Sequence, residues 1–149
     1  MITPREDGGS AIIEFIFVAV IVMVPLVYLV VAVAAVQRSE LAVTQAAREA
    51  GRAYATSDTP AEAIGRAQVA VRIALQDQGL PDDVDVSYVA AGAPCTADPI
   101  EPTLAAGEQF TICVTRRLTV PAVPRVLAGR GITTVGRFVV HVDDYRASS

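Results

Sequence analysis

Glu14 is the most unusual ionisable residue of the chain, because no charged residue follows it until Arg38. If that run lies in hydrocarbon, a carboxylate costs about 2–3 kcal/mol at mid-bilayer and less near the interface, so it calls for a partner. Just upstream, Gly8-Gly9-Ser10 is a small-residue break whose backbone a protease can approach closely. Cys95 and Cys113 have no C-x-x-C spacing, which leaves a structural disulfide or two free thiols. With His141, the one histidine, they are too few for a structural zinc site. His141 falls in an alternating run near the C-terminus and reads as a solvent-facing strand residue rather than a general base. Asp82-Asp83-x-Asp85 lacks the spacing and closing Glu of a calcium loop and reads as a turn before a strand. Arg116-Arg117 alternates faces on a strand, so at most one points inward; the pair reads as solvated surface. No G-x-S-x-G, phosphate loop or H-E-x-x-H occurs. The expectation is a non-enzyme with no cofactor, no metal and no small-molecule substrate.

Composition narrows the partners. The 149 residues carry a net charge of −4, and all 12 basic residues are Arg. The pI is near 4.9. Phosphate contact needs a basic surface, so no nucleic-acid partner is expected. Trp is absent and aromatics are 5%, which removes a base-stacking platform. Hydrophobic residues reach 52%, with a mean hydropathy of +0.45, and they crowd the front of the chain.

From Phe15 to Val36 there is no charge at all. As a helix, that stretch reaches about 33 Å, enough to span the hydrocarbon core of a bilayer. A helix apolar all round would otherwise need a much larger protein to bury it. Pro25, mid-span, removes a backbone hydrogen bond; it either kinks the helix as a hinge or is simply tolerated, as in many membrane helices. Three readings of this N-terminus compete. A cleaved secretory signal has a candidate site at Ala32-Val33-Ala34, but the apolar run is long and the leader is not basic. A plain signal anchor is the second. In the third, the chain is cut between Gly9 and Ser10, and Glu14 becomes the fifth residue.

That third layout resembles the class III signal of type IV pilin-like proteins. Gly9-Ser10-Ala11-Ile12-Ile13-Glu14-Phe15 is similar to the G-S-A-x-x-E-F start of TadE-like proteins of Flp (tight-adherence) pilus systems. Gln45-Ala46-Ala47-Arg48-Glu49-Ala50-Gly51-Arg52-Ala53 is similar to their A-x-x-A-A-R-E-x-A-R-x-A stretch. The likeness covers about the first third of the chain. It implies cleavage after Gly9 by a prepilin peptidase on the cytoplasmic side. It also implies that Glu14 pairs with an N-terminal amine, a neighbouring subunit's in preference to its own. The leader departs from the positive-inside pattern, since Arg5 stands beside Glu6 and Asp7.

Beyond the span, 37–56 reads as a helical extension. Ala42, Ala46 and Ala50 form one small-residue line, and Ala47, Gly51 and Ala55 the next. Such lines permit close packing, or else reflect the Ala-rich coding of a GC-rich genome. Thr59-Pro60-Ala61-Glu62 is a capping-box helix start. A buried face of Ile64, Ala67, Val71, Ala74 and Leu75 is expected to follow, with Gly79 at the C-terminal cap and Pro81 beyond. The period then switches to alternation. Val84, Val86 and Tyr88 mark a first strand, 110–120 a second and 132–142 a third, with Pro121 and Pro124 between the last two.

The expectation is an α+β protein. A leader (1–9) precedes a transmembrane helix (10–36) and its extension (37–56). A small external domain (57–149) then places one helix on a mainly antiparallel sheet. In an exported domain an even Cys pair reads as a disulfide, here tying loop 91–107 to the second strand. It closes under about 20 residues and contributes about 3 kcal/mol on the chain-entropy model. By the resemblance, the chain is a minor structural or assembly subunit of a Flp/Tad-type pilus or related secretion apparatus. It sits in the cytoplasmic membrane, N-terminus inside, with pilin-like subunits and an assembly platform as partners. The alternative is a membrane-anchored extracytoplasmic binding module with no filament role.

Overall fold

The computed structural model describes residues 8–118 and 131–145. The leader ahead of Gly8, the end of the second expected strand at 119–120, and Pro121 and Pro124 lie outside the described residues. The chain divides into two compact units between Ala35 and Val36.

Helix α1 (Gly8–Ala55) is 48 residues long and contains Pro25 without interruption. It starts at Gly8, so the Gly9–Ser10 bond lies in its first turn rather than ahead of it.

Helix α2 (Pro60–Asp77) begins as its sequence dictates. Thr59 is extended, and its side chain accepts from the Glu62 N–H at 3.3 Å. Pro60 occupies the first turn, where no N–H is needed. The helix ends on a left-handed residue. Gly79 has φ +64° and donates to the Gln76 carbonyl, while Leu80 donates back to Leu75. This pair of bonds is the Schellman arrangement, and it satisfies two otherwise orphaned carbonyls. The buried face is Ala63, Ala67, Val71, Ala74 and Leu75. Ile64 is a correction: it is 37% exposed, because the stripe through Ala67 and Val71 extends back by fours to Ala63, one residue round the helix.

Three strands form one sheet among the described residues, in the order β1-β2-β3: β1 (Asp85–Ala90), β2 (Gln109–Leu118) and β3 (Ile132–His141). Both pairings are antiparallel, with Tyr88 opposite Ile112 and Ile112 opposite Phe138. Directly opposed residues share a face, so Val86, Tyr88, Phe110, Ile112, Val114, Phe138 and Val140 look one way. These residues join Ala42, Val43, Ala46, Ala47, Ala50 and Tyr54 of α1 and the buried face of α2 in one core. The extension 37–56 is thus a wall of the folded unit, which spans Val36–Ser149.

The small-residue lines of α1 are spent inside the chain. A side chain at Gly51 would meet the Phe138 ring, and one at Gly136 would overlap the Val43 carbonyl and the Thr44 amide. Helix and sheet backbones approach this closely because both positions lack a Cβ. The loop between β1 and β2 folds over the opposite face. There the Gly92 N–H donates to Thr111 Oγ1 at 3.1 Å; the loop then rounds the β1 edge, where the Ile100 N–H donates to the Tyr88 carbonyl at 2.8 Å.

Candidate functional site

The N-terminal part of α1 hides nothing. Phe15 is 74% exposed and Leu29 60%, and the apolar residues around them are comparably open. Among the described residues, α1 is the helix long and apolar enough to cross a membrane. Glu14 is exposed on this surface and has no ion-pair partner among the described residues. Pro25 lies within the same apolar stretch, where the helix continues on both sides.

In the second unit, Cys95 and Cys113 form a disulfide with Cα atoms 5.7 Å apart, across a sequence separation of 18. It ties the β1–β2 loop to the middle of β2, where Cys113 is fully buried. On the core side, Tyr54 stands edge-on to Phe110, with ring centroids at 4.9 Å, and lies 5.8 Å from Tyr88. Its hydroxyl donates to the Pro102 carbonyl at 2.7 Å, so α1 holds the loop as well as the sheet. Burial, helped by the nearby Tyr88 and Glu108, pushes the Tyr54 hydroxyl up to about 12. Burial also raises Tyr88, whose hydroxyl has no hydrogen-bond partner among the described residues.

Arg116 corrects the surface reading of Arg116-Arg117. It shares a face with Val114 and is 7% exposed, whereas Arg117 is open to solvent. Its Nη1 donates to Ser39 Oγ at 3.2 Å, and Ser39 Oγ bonds Thr134 Oγ1 at 2.8 Å. No carboxylate reaches it among the described residues, and its Nε is buried without a partner. The sequence contained the needed signal: residues 110, 112, 114 and 116 share a parity, which puts Arg116 under the sheet.

Sequence reading also missed a cluster on the rim of β3. Arg48 and Arg52, one turn apart on α1, meet Arg137 and Val139 of β3 and Thr111 of β2 around an open depression of about 570 Å³. Arg52 shares the exposed Glu49 at 3.7 Å; Arg48 and Arg137 have no ion-pair partner among the described residues. Spacing places Arg48 and Arg52 on one face, but nothing local ties them to a residue 85 positions later. His141 is exposed and 3.4 Å from Asp144. Asp82 lies 3.9 Å from Arg72, both exposed. No group of three or more His, Cys, Asp or Glu side chains suited to a metal converges among the described residues. Compared with models of known families, with curated proteins and with solved structures, the chain matches none.

Proposed function

We propose that this chain is a TadE-like, single-pass protein of the cytoplasmic membrane, and that it acts as a minor structural or assembly subunit of a Flp/Tad-type pilus or related secretion apparatus. The observation that carries the reading is the exposed apolar helix with one carboxylate, Glu14, set five residues from Gly9. In this reading a prepilin peptidase cuts between Gly9 and Ser10 on the cytoplasmic side, and the second unit stands outside. The role is structural and not catalytic. The helix supplies the membrane and packing surface, while the disulfide and the shared core make the external unit a rigid body.

Glu14 supplies register. After cleavage the Ser10 amine is positive and about one turn from Glu14, and helices packed side by side can pair one subunit's amine with the next one's carboxylate. Such a pair is a registry device more than a source of stability, since breaking it leaves an unpaired charge that costs about 3–5 kcal/mol. The two-glycine start of α1 suits the peptidase: each Gly in a helix costs up to about 1 kcal/mol relative to Ala, so the first turn unwinds easily.

The test is Glu14→Ala expressed in the native host. The variant should insert at least as well as the wild type, because a desolvation penalty is gone, and should still be cleaved after Gly9. It should fail to co-purify with its pilus partners. Wild-type recovery in that complex removes the assembly role of Glu14 and leaves it as a residue that ends the span at the head groups. The arginine-lined rim of β3 favours one second reading, a membrane-anchored binding module, for which loss of Glu14 changes nothing beyond insertion.

A further inference from the structure

β3 is an edge strand. Among the described residues it pairs with β2 alone, so alternate N–H and C=O groups along its ten residues face outward without partners. Natural edges are usually blunted by Pro, bulges or inward charges, because an open edge templates another strand. β3 between Ile132 and His141 contains no Pro, and Val135 and Val139 are 46% and 49% exposed on its outer face. The opposite edge of the sheet is partly closed, since the β1–β2 loop donates to the Tyr88 carbonyl.

Along this open edge run Arg48, Arg52 and Arg137. The chain as a whole is acidic, at −4, so a cationic rim where, among the described residues, a carboxylate (Glu49) reaches Arg52 alone runs against the average. A second copy of β3 fits poorly. Antiparallel pairing of two such edges would set Arg137 near its symmetry mate and bring both arginine sets together, and like charges facing each other across strands are destabilising. We propose that the β3 edge is a docking site for an extended, acidic segment of a partner protein, which adds as a fourth strand. Main-chain hydrogen bonds to β3 would supply the affinity, and carboxylates along the added strand would reach Arg137 and the Arg48 and Arg52 of α1 and supply the specificity. The site does not depend on the filament reading, because an anchored binding module would use the same edge.

The experiment uses the full-length oxidised protein in detergent micelles. The probe is a fluorescein-labelled ten-residue peptide of alternating Glu and Val, followed by anisotropy at low salt. Two controls have the same length: an alternating Lys and Val peptide, and the Glu-Val peptide methylated on all its amide nitrogens. The Glu-Val peptide is expected to bind at least tenfold more tightly than either control. The Arg48→Glu/Arg137→Glu double variant should weaken it at least tenfold, while Arg117→Glu, outside the depression, should leave it unchanged. Both replaced residues are exposed, so the melting temperature should hold. Equal binding of the Glu-Val and Lys-Val peptides, undiminished binding of the methylated peptide, or no binding at all overturns the proposal. So does self-association of the protein that the double variant abolishes, because the edge then belongs to a second copy.

Discussion

Arg116 is a cation held almost wholly out of water. A cation taken from water needs compensation, and here it has one hydroxyl, that of Ser39, which Thr134 shares, and an Nε with no partner among the described residues. Replacing a poorly compensated buried charge by an apolar side chain of similar volume is often neutral or stabilising. Arg116→Met should therefore hold or raise the thermal midpoint, since the Ser39–Thr134 bond survives. Thr134→Val removes one of the two partners of the buried Ser39 hydroxyl, leaving Arg116, and should cost about 1–3 kcal/mol. Circular-dichroism melts check both, and a loss above about 3 kcal/mol for Arg116→Met would mean that the guanidinium is properly paired. The tyrosines give a pH signature. The folded state holds the Tyr54 proton more tightly, with a pKa of about 12 against the ordinary 10.0. The contribution is therefore fully present below pH 10 and is lost as pH rises from 10 through about 12, where the unfolded chain ionises first. An absorbance titration at alkaline pH should show Tyr54 and Tyr88 ionising above the ordinary tyrosine value of 10.0 while the protein stays folded. Ionisation of these two at the ordinary value in the folded protein would contradict their burial.

At the scale of elements, two glycines in different settings should respond in opposite directions. Gly136→Ala drives a methyl into the α1 backbone at Val43. Backbone cannot swing aside as a side chain can, so a loss of several kcal/mol or failure to fold is expected. Gly65 sits inside α2 with nothing within 4 Å of a would-be Cβ, and Gly65→Ala should stabilise by up to about 1 kcal/mol. Chemical-denaturation midpoints separate the two, and equal effects would mean that α1 does not lie on β3 as described. Local signals made most of these elements legible. Thr59, Pro60 and Gly79 set both ends of α2, alternation found all three strands, and an even Cys pair in a loop-rich segment anticipated Cys95–Cys113. What stayed hidden was long-range. No local period says that α1 past Val36 is a core element, because Ala-rich lines suit a filament interior and a helix-on-sheet contact equally. Ile64 was misplaced by one position because hydrophobicity favoured the larger side chain, while the close approach of helix and sheet favoured Ala63.

At the scale of the molecule, the chain joins two surfaces with opposite requirements. The second unit buries its apolar residues in its own core and adds a disulfide worth about 3 kcal/mol on the chain-entropy model. The first unit leaves its apolar residues from Ile12 onward open, far beyond the few hundred Å² that soluble monomers expose. A bilayer or a bundle of like helices would cover that surface, and the first residue of the mature chain would separate the proposed pilin-like subunit from a plain anchor or a secreted protein. The most direct test is therefore the N-terminus of the mature protein, read by Edman degradation and intact mass on material extracted from native membranes. The account requires a chain beginning at Ser10, and a Gly9→Leu strain that keeps its leader while still inserting. A wild-type chain beginning at Met1, or at Ala35 after signal cleavage, would contradict it.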